Sequence, residues 1–151
     1  VNYNMGGVNH RLQTLVTKRD RTGLTSEEQA QLDWLLEYIE VDQEFYSRMR
    51  SAGVTMICGS DSAWGHYKMG QFHYEVEAHT AAGMRPIEAL VAATKDAARS
   101  CMVEDQVGTI EPGKKADLLI VDGDPSKDIA AIRGVVDVFK SGQSVKLSGS
   151  P

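Results

Sequence analysis

The chain is poor in cysteine, has no concentrated positive charge, and nowhere carries an apolar run long enough to cross a bilayer. Its two cysteines, Cys58 and Cys101, are too few for a disulfide scaffold. Both sit in apolar settings, one in an apolar run and one at the end of a helical pattern. They read as reduced core residues of a cytosolic protein, with a disulfide as the lesser alternative. The net charge is −5, and the one basic cluster, Lys18, Arg19 and Arg21, is interrupted by Asp20, so nucleic acid is not an expected partner. A signal peptide is missing, because the amino terminus has neither a basic start nor an apolar stretch. An initiator Met is missing too, and Val1-Asn2-Tyr3-Asn4 reads like the middle of something longer. No histidine stands in a His-Glu-x-x-His arrangement. What remains, 151 residues that are 42% hydrophobic and 25% charged, is the balance of a globular domain with a real core and no membrane span.

The chain is organised around Ala52 to Ser62. Gly53 reads as a helix stop, Val54 to Cys58 as a short strand, and Gly59 as its end, so that Ser60 and Asp61 emerge where the strand runs out. In βα barrels and open sheets such strands are buried on both faces, and reacting groups project from their carboxyl ends. Asp61 is therefore the first candidate for a reacting residue. The competing reading is a turn or helix-capping aspartate, since Ser60-Asp61-Ser62 is also good turn chemistry. The segment after it, Ala63 to Gly70, combines two glycines with Trp64, His66 and Tyr67, either as a functional loop at the strand end or as a surface loop packed back on the body.

Gly6-Gly7 marks a loop ahead of a short helical piece through Leu12, Leu15 and Val16, and His10 there reads as a surface side chain. A long helix follows from Thr25. Thr25 and Glu28 form a capping box, Leu32, Leu35, Leu36, Ile39, Phe45, Tyr46 and Met49 mark one buried face, and Arg48 and Arg50 fall in the last turn. A further run, Gln71 to Ala82, ends at Gly83. His73 and His79 within it are six apart and share no helical face, which leaves His79 a structural role. Pro86 opens a helix with the narrow stripe Ile87, Leu90, Val91, Thr94, Ala97 and Ala98. At about Val107 the character changes to a Glu111-Pro112-Gly113 turn and a buried strand Leu118 to Val121. A short helix through Ile129 and Ile132 follows, then a hairpin pairing Val135–Phe139 with Gln143–Leu147 across Ser141-Gly142, and a loose tail.

One ordered series of motifs carries a family resemblance. Gly59-Ser60-Asp61 comes first, then Gly83-Met84-x-Pro86-x-Glu88-Ala89-Leu90, Ala93-Thr94 and Ala97-Ala98. Gly108-Thr109-Ile110-x-Pro112-Gly113-Lys114-x-Ala116-Asp117-Leu118 and Asp124-Pro125 complete it. From about Arg50 to Leu147 the chain resembles the carboxyl-terminal part of the amidohydrolase superfamily, closest to imidazolonepropionase-like and prolidase-like metal-dependent hydrolases.

The resemblance implies an α/β fold, the carboxyl-terminal portion of a (β/α)8 TIM-type barrel with strands of a small β-sandwich. Residues 1–106 would be the last part of the barrel, 107–147 the sandwich segment with its terminal hairpin, and 148–151 a tail. Asp61 would end the eighth strand as a ligand of a divalent metal, zinc by expectation, and as general base toward metal-bound water that attacks an amide, cyclic amide or dipeptide-like substrate. Trp64, His66, Tyr67 and His73 would line the substrate mouth. A complete barrel of this type needs roughly 250 residues, and the family's His-x-His pair does not occur here. One aspartate cannot supply the three protein ligands of a catalytic zinc. The sequence therefore reads as the last third of a cytoplasmic enzyme, inactive and metal-free alone. The alternative is a folded, self-associating structural or binding module. Either way its cut edges call for a homo-oligomer or a companion chain.

Overall fold

Helix formation begins with local chemistry at Thr25, whose hydroxyl accepts the Glu28 N–H while the Glu28 carboxylate accepts the Thr25 N–H at 3.0 Å. The computed structural model describes residues 5–60 and 69–145. They fall into two compact units, Val1–Gly83 and Met84–Pro151. No helix among the described residues is long and apolar enough to cross a membrane.

The first unit holds α1 (Met5–Thr22), α2 (Ser26–Ser51) and α3 (His73–Ala81). The capping box starts α2 as expected, and Glu27 and Glu28 occupy its first turn. Its end is a Schellman motif: Gly53, at φ +76°, donates to the Arg50 carbonyl at 2.9 Å, and Val54 donates to the Met49 carbonyl at 3.1 Å. The helix α1 corrects the expectation of a loop at Gly6-Gly7, because the helix runs straight through both glycines. A glycine costs about 1 kcal/mol in a helix interior. Packing outweighs that cost, since Leu15 is buried with Leu32 and Leu35, and Val8, Leu12, Val16 and Leu24 close around them. The Lys18 ammonium reaches the Glu28 carboxylate from α1 to α2. A cavity of about 70 Å³ remains among Val8, Leu12, Ile39, Asp42, Gln43, Ala78 and Ala81.

The buried face of α2 differs from the expected one. Leu32, Leu35, Asp42 and Tyr46 are buried, whereas Leu36 and Phe45 are exposed. Apolar spacing alone does not say which of two adjacent helix faces meets the body, and α1 and α3 choose the one carrying Tyr46. The Val54–Cys58 segment also departs from expectation. It has a single bridge, at Ile57, rather than a ladder, and burial alternates, with Met56 and Cys58 inside and Val54 exposed. A strand exists only through its neighbours, and the described residues bring it none that continue the pairing.

In the second unit, α4 (Pro86–Ala93) starts with proline in its first turn, and the Glu88 carboxylate accepts the Arg85 N–H. The single helix expected here breaks at Thr94 (φ −124°, ψ −83°) and resumes as α5 (Lys95–Ser100), while the Thr94 hydroxyl donates to the Leu90 carbonyl at 2.6 Å. Ala89, Ala92 and Ala98 are buried and Ile87 is exposed, so the covered stripe is composed of smaller side chains than expected. Gly108 explains the need for small residues: a Cβ built on it would lie 2.6 Å from the Ala98 Cβ.

The turn at Glu111-Pro112-Gly113 forms as read, with Gly113 at φ +92° and the Lys114 N–H donating to the Glu111 carbonyl. Strands β1 (Leu118–Val121), β2 (Val135–Lys140) and β3 (Gln143–Ser144) make an antiparallel sheet in the order β1-β2-β3, with a short 3-10 helix Ile129–Arg133 between β1 and β2. Ser141 and Gly142 both have positive φ, +51° and +79°, the two-residue turn whose twist suits a hairpin. Asp117 ties this turn down, accepting the Ser141 N–H at 2.7 Å and pairing with the Lys140 ammonium. Those two partners hold its carboxyl below the usual carboxylate range, the lysine contributing most. The strand β1 is not the buried strand expected, since Leu119 and Ile120 are exposed. It pairs on one side only, and four residues offer little to bury.

Candidate active site

Asp61, Trp64, His66 and Tyr67 lie outside the described residues. The chain that leads to them is described as far as Ser60, and the chain after them from Met69. Between these two points α3 and the carboxyl half of α2 build a buried polar cluster. Cys58, five per cent exposed, occupies the inner side of the segment that ends at Ser60. Glu75 and His79 are fully buried one helical turn apart on α3, and Tyr46 of α2 is two per cent exposed. The Tyr46 hydroxyl lies 2.5 Å from the His79 Nδ1, and the His79 Nε2 lies 3.3 Å from the Glu75 Oε1. With its proton on Nε2, the imidazole accepts from the tyrosine and donates to the glutamate, which satisfies both rings of donors and acceptors. The phenol ring meets the imidazole edge-on at a centroid distance of 5.2 Å.

Sequence spacing had assigned His79 a structural role, and its burial agrees. Glu75 and Tyr46 were missed. The Glu75–His79 separation of four residues was a legible signal for a helical pair, but nothing in the sequence joins Tyr46 to a histidine thirty-three residues away. The arrangement can fix an imidazole tautomer and hold α2, α3 and the Cys58 segment in one register. His73, expected at a substrate mouth, opens α3 with its ring tilted against Tyr74 at 4.2 Å. His10 is half-buried rather than at the surface, its ring edge-on to Tyr74 at 4.8 Å.

Burial pushes the Cys58 thiol up from its usual pKa, and the Glu75 carboxylate nearby adds to the shift. Cys101, expected in the core, is exposed beyond α5, and both cysteines are free thiols. Titration with a thiol-reactive disulfide dye near neutral pH is therefore expected to label Cys101 rapidly and Cys58 only after denaturant is added. Equal labelling rates would show that Cys58 is not shielded.

Among the described residues no three His, Cys, Asp or Glu side chains gather into a group that could hold a metal ion. A catalytic zinc takes three protein ligands and a water. The described residues alone do not fit that demand, and Asp61 lies outside them.

The two units, three packed helices followed by a helix pair and a small antiparallel sheet, define a mixed helix-and-strand protein of the kind found among amidohydrolases. The amidohydrolase family model matches residues 16–145, and the chain belongs to that family. It is 35% identical over 97 residues to the imidazolonepropionase of Thermoplasma volcanium, a match covering 62% of this chain and 24% of that protein. It is 31% identical over 87 residues to the 5-methylthioadenosine/S-adenosylhomocysteine deaminase of Symbiobacterium thermophilum, covering 54% of this chain and 19% of the relative. Among solved structures, that of a putative prolidase from Bifidobacterium longum superimposes with a TM-score of 0.69 at 26% identity, over 95% of this chain and 35% of the other. The chain thus spans about a quarter to a third of the proteins it resembles. The resemblance to imidazolonepropionase and prolidase read from the motifs is borne out.

Proposed function

We propose that this chain is the carboxyl-terminal segment of a metal-dependent amidohydrolase that hydrolyses a C–N bond of a small amide, cyclic amide or dipeptide-like substrate. The family match across residues 16–145 carries the reading. Residues 1–106 are assigned to the end of a (β/α)8 barrel and 107–147 to strands of a small sandwich, the division falling where helices give way to the turn and sheet. Asp61, at the end of the Val54–Gly59 segment, is the assigned metal ligand and proton acceptor, with zinc as the metal. Trp64, His66, Tyr67 and His73 are assigned to the substrate mouth. The two free thiols support a reducing, cytoplasmic setting. The remaining metal ligands have to come from outside this segment, because a metal that activates water for such a reaction needs a closed set of donors and one open position.

The test compares the chain alone with the chain joined to, or co-expressed with, a segment carrying a His-x-His pair. Zinc retained after dialysis against a chelator is measured together with release of proline or ammonia from a panel of amides. Hydrolysis and bound metal are expected only in the combination, and both are expected to be lost on Asp61→Asn. Undiminished hydrolysis by the Asp61→Asn protein would overturn the assignment.

A further inference from the structure

The helix α2 carries a second apolar face that its own unit leaves open. Trp34, Tyr38, Val41 and Phe45 recur at steps of four, three and four and are 58%, 37%, 64% and 50% exposed. Leu32, Leu35 and Tyr46, which face α1 and α3, lie on the neighbouring side and are buried. The steps are those of alternating a and d positions of a heptad, the pattern by which one helix packs along another. Gln31 and Glu27 continue the stripe toward the amino end and Arg48 continues it toward the carboxyl end, so the four apolar positions are bounded by an acid at one end and a base at the other.

We propose that this face joins two copies of the chain, with their α2 helices antiparallel about a two-fold axis that passes between Ile39 and Glu40. That axis places every a position of one copy opposite a d position of the other: Trp34 meets Phe45, Tyr38 meets Val41, and Gln31 meets Arg48. It also brings Arg48 of each copy to within about one helical turn of Glu27 of the other, which a parallel pairing would not do. A patch closed by opposite charges at its two ends is self-complementary in this sense, as an isologous interface requires. A side chain of this size offers about 150–250 Å², so the exposed fractions sum to apolar burial on the order of 800 Å² for the pair, the small end of specific interfaces. The pairing is therefore reversible in the micromolar range. Its flank carries Glu37, Glu40 and Glu44, and Glu37 of one copy falls near Glu44 of the other. Screening that repulsion strengthens the dimer, opposite to the behaviour of a dimer held by ion pairs.

Sedimentation equilibrium from roughly 1 to 100 micromolar, the range in which so small an interface dissociates, at about 0.05 and 0.5 M salt tests the proposal. A monomer–dimer equilibrium that shifts to dimer by several-fold at the higher salt is expected. Val41→Glu and Phe45→Glu are expected to be monomeric throughout with unchanged circular dichroism, whereas Leu36→Glu, on the far side of α2 and 48% exposed, is expected to dimerise as before. A chain that is monomeric at every concentration overturns the proposal. So does a dimer that survives Val41→Glu and Phe45→Glu, or one that Leu36→Glu disrupts equally. None of these readings depends on hydrolytic activity, so the enzymatic assignment and the pairing stand or fall separately.

Discussion

Replacing His79 by alanine is expected to lower the stability of the first unit by about 3–5 kcal/mol, the range for removing one member of a buried polar set and leaving a cavity. The imidazole is fully buried between a phenol at 2.5 Å and a carboxylate at 3.3 Å. Removing it strands both. A buried group left without its partner forfeits about 1–3 kcal/mol, more when it is charged, and Glu75 has no exposure through which water could replace the lost donor. Tyr46→Phe takes away only one hydroxyl and its bond and is expected to cost about 1–2 kcal/mol. Urea unfolding followed by tryptophan fluorescence reports on this unit alone, because Trp34 and Trp64 both precede Gly83. A loss below about 1 kcal/mol for His79→Ala would mean that the cluster relaxes or hydrates freely, contrary to its burial.

Gly108→Ala is expected to destabilise the second unit by about 2–4 kcal/mol, through two additive causes. The residue has φ +94°, where a side chain is strained by about 1–3 kcal/mol. Its Cβ would also press to 2.6 Å from the Ala98 Cβ and 3.0 Å from the Thr94 carbonyl oxygen, and overpacking of that kind costs about 1–3 kcal/mol. Gly113→Ala is the control. It shares the positive φ, at +92°, but has open space around it, so only the conformational part of the penalty should appear. Amide hydrogen exchange at Leu118–Val121 in each variant measures the difference. Equal effects from the two substitutions would show that contact with α5 contributes nothing.

Much of the local structure was legible because its causes are local. Thr25 with Glu28, Pro86 with Glu88, Glu111-Pro112-Gly113 and Ser141-Gly142 each settle their own backbone through one or two hydrogen bonds or a preferred φ, and each appears where the residues called for it. The family was legible for a different reason, since its motifs stand in a fixed order along the chain. The break at Thr94 was not visible in the same way. Its helix signal continues through Ala98, and the bend is decided by the close approach of Gly108 to Ala98 and the Thr94 carbonyl.

The sequence by itself determined where helices start and stop, which turns form, and that Asp61 follows directly on the segment after α2. Only the tertiary structure decided which side of α2 is buried, that Gly6 and Gly7 are helical, and that His79 is held between Tyr46 and Glu75. The physical reason is one of range. Caps and turns are satisfied by atoms within four residues, whereas burial and the pairing of buried polar groups depend on surfaces brought together from distant parts of the chain, which periodicity marks as apolar without naming their partners.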